Sequence, residues 1–233
     1  MNGNATGRLE WGLQAGIVTA LALLAVGWGL APKVVPLAPS IILIACGVFW
    51  HLAVSRLQVA HPRAVAVSVV FGAFSALVFV PSILVEYFGV TVNNTTMSVA
   101  MFALWLAAGT IVAVLTGRVG AAVLSSTVSA QIASLASVIT MLASYYVLRG
   151  SALQERFFRT EGTYEDFARS GLKDFGTFVV EDMFGGTFFH MVLGTLAGAL
   201  LGLVCGVTVV SLKAFFTRRG DRLPNRRMEP TRR

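Results

Sequence analysis

The sequence predicts an all-α fold: a polytopic integral membrane protein, built as a six-transmembrane-helix bundle with a short amphipathic outer segment. Three observations predict it. Of 233 residues, 56% are hydrophobic and only 12% charged, whereas a soluble domain carries about 25% charge to solvate its surface. A chain of this length has too little interior to hide so many apolar side chains from water, and its mean hydropathy is +0.76. Six stretches reach the about 20 apolar residues that a helix rising 1.5 Å per residue needs to cross a hydrocarbon layer about 30 Å thick.

The first stretch, 11–31, reads WGLQAGIVTALALLAVGWGLA. It is longer than the apolar part of a secretory leader, is preceded by the single base Arg8 and is followed by no A-x-A site, so it is a retained span. The second, 37–56, opens with Pro36 and Pro39, which a helix start tolerates. The third, 64–88, contains Pro81, where a kink is expected. The fourth covers 98–116, the fifth 119–148 and the sixth 187–212. PKVVP (32–36) and GRVG (117–120) are links so short that the spans they join must pack as antiparallel hairpins. Only 149–186 is long enough to hold structure of its own. The chain reads as one membrane domain, 1–217, with no tandem repeat, followed by a basic tail, 218–233.

Basic residues set the orientation. With the amino terminus cytoplasmic, Arg8, Arg56, Arg63, Arg118 and the eight bases from Lys213 onward lie inside, while Lys33, Arg149, Arg156, Arg159, Arg169 and Lys173 lie outside. Twelve against six places both termini in the cytoplasm. The outer connection GVTVNNTTMS holds overlapping N-x-T triplets at Asn93 and Asn94, which are glycosylation acceptors only in a eukaryotic secretory pathway. The alanine, glycine and arginine usage fits a bacterial chain, in which they are turn residues, and the expected location is a bacterial inner membrane.

The sixth span carries Gly186, Gly194, Gly198, Gly202 and Gly206, with His190 filling the gap in the four-residue row. Residues four apart drift only about 40° around a helix, so the row is one winding groove without side chains. In lipid, helices associate through close backbone contact, which small residues permit. A neighbour should therefore lie tightly along this face, from the same chain or another one. The fifth span is the natural candidate, through Ser126, Ala130 and Ser134 and the adjacent row Ala133, Ser137 and Met141. Its hydroxyls can bond their own helix carbonyls or reach across.

Ionisable and amide groups in spans are costly and are functional suspects. Gln131 in the fifth span should face the bundle. His190, Glu86, Glu181 and Asp182 are expected near one depth at the outer interface, either as a shared site or as residues solvated by headgroups. His51 and His61 read as interface residues, and Cys46 and Cys205 as small apolar fillers without a disulfide framework. No metal-ligand spacing, nucleophile elbow, P-loop or dinucleotide fingerprint is present, so no metal, cofactor or catalytic residue is assigned.

In the outer segment, Thr163 and Asp166 approximate a capping box and Gly171 a helix stop. Phe157, Phe158, Tyr164, Phe167, Phe175 and Phe178 alternate with charges, which predicts a surface-lying segment with its rings inward, as a lid or as a docking face. The tail RRGDRLPNRRMEPTRR has seven arginines and little apolar content. It should be disordered and touch anionic lipid headgroups; without an aromatic or folded module it does not read as a nucleic-acid binder. Two functions are expected from these residues. One is a non-enzymatic membrane component that packs with itself or with other membrane subunits through the last helix. The other is a small transporter with a path along Glu86, Gln131 and His190 between the third, fifth and sixth spans.

Overall fold

The computed structural model describes the backbone of residues 3–221 and the side chains of 11–57 and 61–217. Among them there is no strand. The helices are α1 (Gly3–Leu30), α2 (Leu37–Ala60), α3 (Pro62–Glu86), α4 (Asn94–Thr116), α5 (Val119–Val147), α6 (Ala152–Thr160), α7 (Thr163–Ser170) and α8 (Phe175–Asp221). Six of these, all but α6 and α7, are long and apolar enough to cross a membrane. The chain is a six-helix bundle, and its apolar helices point to a membrane protein in contact with the lipid bilayer.

The links follow from local chemistry. Val34 N–H closes a turn onto Ala31 O (2.9 Å) between α1 and α2. A single residue, His61, joins α2 to α3, with Pro62 at the first helical position, where its missing N–H costs nothing. Gly117 ends α4 in the left-handed region (φ 65°) and α5 begins two residues later. Asn93 caps α4 by accepting from Thr96 N–H (3.0 Å). Helix α3 continues through Pro81, whose ring lies on the exposed side.

Helix α5 is the axis of the bundle. It is the least apolar of the six and the most buried. That inversion is what a bilayer asks for: lipid-facing surface must be apolar, whereas a helix enclosed by others can carry hydroxyls if they find partners. Ser125 and Ser129 face α3, where Ser68 Oγ donates to Ser125 Oγ (2.8 Å) and Ser129 Oγ donates to Ser68 O (2.8 Å). Ser126 Oγ donates to Trp105 O on α4 (2.6 Å). On the outside, Val18, Leu77 and Leu200 are each more than 60% exposed, as residues solvated by acyl chains are.

The last helix departs from the expected bounds. Residues 175–186, placed in the connection by sequence, are the first three turns of α8. Val179, Val180, Met183 and Phe184 are buried in the main core, so tertiary packing carries the helix through Gly176, Gly185 and Gly186. At 47 residues, α8 is about 70 Å long, well beyond a bilayer's hydrocarbon thickness. At its other end α8 continues to Asp221, into the stretch expected to be disordered; residues 222–233 of that tail lie outside the described residues.

Helices α6 and α7 lie across one end of the bundle. Ser151 caps α6 by accepting from Gln154 N–H (3.2 Å). Gln154, itself buried, donates from Nε2 to Tyr145 O at the end of α5 (3.1 Å) and accepts from Gly150 N–H (2.8 Å). Phe157 stacks on Tyr87 at the end of α3, with centroids 4.4 Å apart. Phe158, Tyr164, Phe167, Phe175 and Phe178 form one aromatic cluster, with Tyr164 stacked on Phe175 at 4.8 Å. Gly171 ends α7 at φ 74°, as its sequence signal indicates. The capping box does not form: Gly162, at φ 72°, occupies the cap position, Thr163 is already helical and Asp166 pairs with Arg169.

Candidate functional site

The glycine row lies against α5 of the same chain. A Cβ on Gly198 would come 2.8 Å from Ser126 O and 2.9 Å from Thr127 Cα; one on Gly202 would come 2.6 Å from Val123 Cα. Gly194 faces Ser134, and Gly206 faces Ala122 and Val119. The two backbones therefore touch along about three helical turns, which only glycine on α8 allows. Gly186, at the upper end, meets only the flexible end of Met141 (3.6 Å). Ser137 is buried on α5. On the next face of the bundle, Gly109 of α4 meets Ser126 Oγ and Cys205 Sγ, so α4 and α8 converge there.

Away from that convergence, toward the α6–α7 end, α4 and α8 splay. A cavity of about 480 Å³ opens between them. Its floor is Ala133 and Ser134 of α5 with Gly194 and Ala197 of α8; small residues on both sides leave the volume. Phe79 of α3, Met101, Phe102 and Trp105 of α4, and Leu193, Leu196 and Leu200 of α8 wall it. Phe102, Leu193, Leu196 and Leu200 are exposed, so the mouth faces sideways, into the region lipid would occupy. His190 is the one imidazole in the lining. Its ring stands edge-on to Phe79 (5.9 Å, 68°) and has no hydrogen-bond partner among the described residues. Trp105 Nε1 also lacks a partner among the described residues, but it is closed off within the bundle.

The five polar residues singled out by sequence fall in four places. Gln131 is buried on α5, donating to Thr195 Oγ1 of α8 (3.0 Å) and to Cys46 Sγ of α2 (3.5 Å), while its Oε1 has no partner among the described residues. It does not line the His190 cavity. Glu86 sits at the last turn of α3, next to Tyr87 and the α6 contact, seven residues beyond Phe79. Asp182 and Glu181 share a groove with Ser170, Leu172 and Phe178. Glu181 also reaches a second groove beside Lys33 of the α1–α2 link. Phe189 stands between the acidic groove and the His190 cavity and lines both. Among the described residues, no three His, Cys, Asp or Glu side chains are grouped so as to hold a metal ion.

Sequence reasoning missed the cavity itself. Its one legible signal was His190 standing in a row of glycines. The wall residues carry no pattern that separates them from lipid-facing ones. The cap's charges were also invisible as a set: Glu155 accepts from Tyr164 Oη and from Arg159 Nε (2.9 Å), and these two bonds hold its carboxyl below the usual range. Thr177 at the start of α8 lowers the Asp174 carboxyl by hydrogen bonding, through its side chain first and then through its N–H, from which Asp174 accepts at 2.6 Å. The chain matches no protein-family model, no curated protein and no solved structure.

Proposed function

We propose that this chain is a non-enzymatic, multi-pass component of a bacterial inner membrane that works as a self-contained bundle, with both termini cytoplasmic and the α6–α7 cap outside. The observation that carries the self-contained reading is the fate of the glycine row. From Gly194 to Gly206 it closes on α5 of its own chain, leaving no side-chain-free groove for a second subunit. The excess of basic residues on the side opposite the cap supports the orientation. The tail's arginines then meet anionic headgroups of the cytoplasmic leaflet. Native mass spectrometry after mild-detergent extraction tests the reading. A monomer is expected; a stoichiometric complex that Gly198→Leu dissolves would overturn it.

A permease is the second reading, and Gln131 favours it. An amide oxygen without a partner in the bundle core is an acceptor that a passing solute could use. If Gln131→Leu abolished a measured flux while the protein stayed folded and inserted, the permease reading would take precedence.

A further inference from the structure

The cavity between α4 and α8 has a polarity that runs along the bundle axis. Ser98, one turn into α4, and His190 stand at the end nearer α6 and α7; Trp105, Ala197 and Leu200 stand at the other. His190 is level with Phe79, seven residues from the end of α3 and so about 10 Å below it. Between His190 and Leu200 the cavity descends about 15 Å, and apart from the Ser134 hydroxyl level with Gly194 its lining there is apolar. That is the arrangement of a lipid leaflet: polar groups near the interface and hydrocarbon toward the midplane. An imidazole offers one donor and one acceptor when neutral, and His190 uses neither on the described residues. Among the described residues no Lys, Arg, Asp or Glu lines the cavity, so a charged head would enter without a counter-charge, at a desolvation cost. The volume falls within the about 300–1,000 Å³ of ligand pockets.

We propose that this cavity binds a neutral single-chain amphiphile from the bilayer, a long hydrocarbon with a hydroxyl head, which enters sideways between α4 and α8 and hydrogen-bonds His190. Ordinary two-chain lipids are poor occupants, because a phosphate head has no cation here. The inference is independent of whether the bundle acts alone.

Trp105 in the cavity wall provides the readout. Trp11 and Trp28 are exposed and would be changed to Phe; Trp50 is buried away from the cavity and stays. In detergent micelles, dibromo-octadecanol should quench the fluorescence saturably, and plain octadecanol should relieve the quenching. Dibromostearate at pH 8 and a brominated phosphatidylcholine should quench only in proportion to their bulk concentration. His190→Leu should weaken the alcohol's apparent affinity by about tenfold, the upper range for one hydrogen bond, while His190→Gln should keep most of it. Ala197→Phe should remove the saturable phase. Saturable quenching by the phospholipid, equal binding of alcohol and stearate, or unchanged affinity in His190→Leu would each overturn the proposal. Non-saturable quenching by the alcohol would do the same.

Discussion

A methyl group on Gly202 would sit 2.6 Å from Val123 Cα and 2.8 Å from Ala122 O, both backbone atoms of α5 that cannot turn aside as a side chain can. Gly198 meets the same limit at Ser126 O. Even Gly202→Ala must therefore push α8 off α5, and overpacking of this kind costs about 1–3 kcal/mol or more. The thermal midpoint of the detergent-solubilised protein should fall for Gly202→Ala and further for Gly198→Leu. Gly12→Ala is the control, since nothing lies within 4 Å of its Cβ position, and it should leave the midpoint unchanged or raised. Ser129 is a milder case. Its hydroxyl lies within bonding distance of Ser68 O on α3 and of Ser125 O in its own helix. Interhelical hydrogen bonds in membranes average about 0.6 kcal/mol, because the separated helices also find partners. Ser129→Ala should lower stability by about that much, and a loss above about 2 kcal/mol would show that the hydroxyl does more than join two helices.

At the scale of elements, the cap formed by α6 and α7 rests on aromatic packing inside and on carboxylates outside. Glu155 and Asp174 have their carboxyls held below the ordinary range by the bonds they accept. A depressed folded value means that the ionised form stabilises the fold; this contribution is present above the ordinary carboxylate range and lost as pH falls through the depressed one. Both groups are exposed, so the effect is local and salt-screened. Hydrogen exchange should show the amides of 152–178 losing protection as pH drops from about 6 to below about 4, after correction for the intrinsic rate. Tyr164→Phe removes one of the two bonds on Glu155 and should shrink that pH dependence; an unchanged profile would remove Glu155 as its origin. Helix α8 starts where it does because Asp174 caps Thr177 N–H and Phe184 packs near Gly27 of α1. Asp174→Ala should fray the first turn of α8 and spare the turns that lie on α5.

For the whole molecule, the six spans, the short links and the small-residue face were legible, and each for a physical reason. A bilayer core leaves no water to satisfy the backbone, so a crossing outside a closed barrel must be a long apolar helix, and such helices are read directly from residues 11–31 through 187–212. The bias of basic residues is what supports the proposed orientation: a reporter fused after residue 217 should be cytoplasmic and one inserted at Leu172 external. The reverse result would invert the assignment. The sequence by itself also pointed to a close neighbour for α8, because four glycines at one spacing let two backbones approach in lipid. Only the tertiary structure decided that this partner is α5 of the same chain and that α5 is the centre. It also decided that Gln131 and His190 face different neighbours, and that α4 and α8 part to leave a cavity. Hydropathy ranks each residue by its own transfer from water. Which helix surrounds which, and where two walls fail to meet, depends on pairs of residues far apart in the chain.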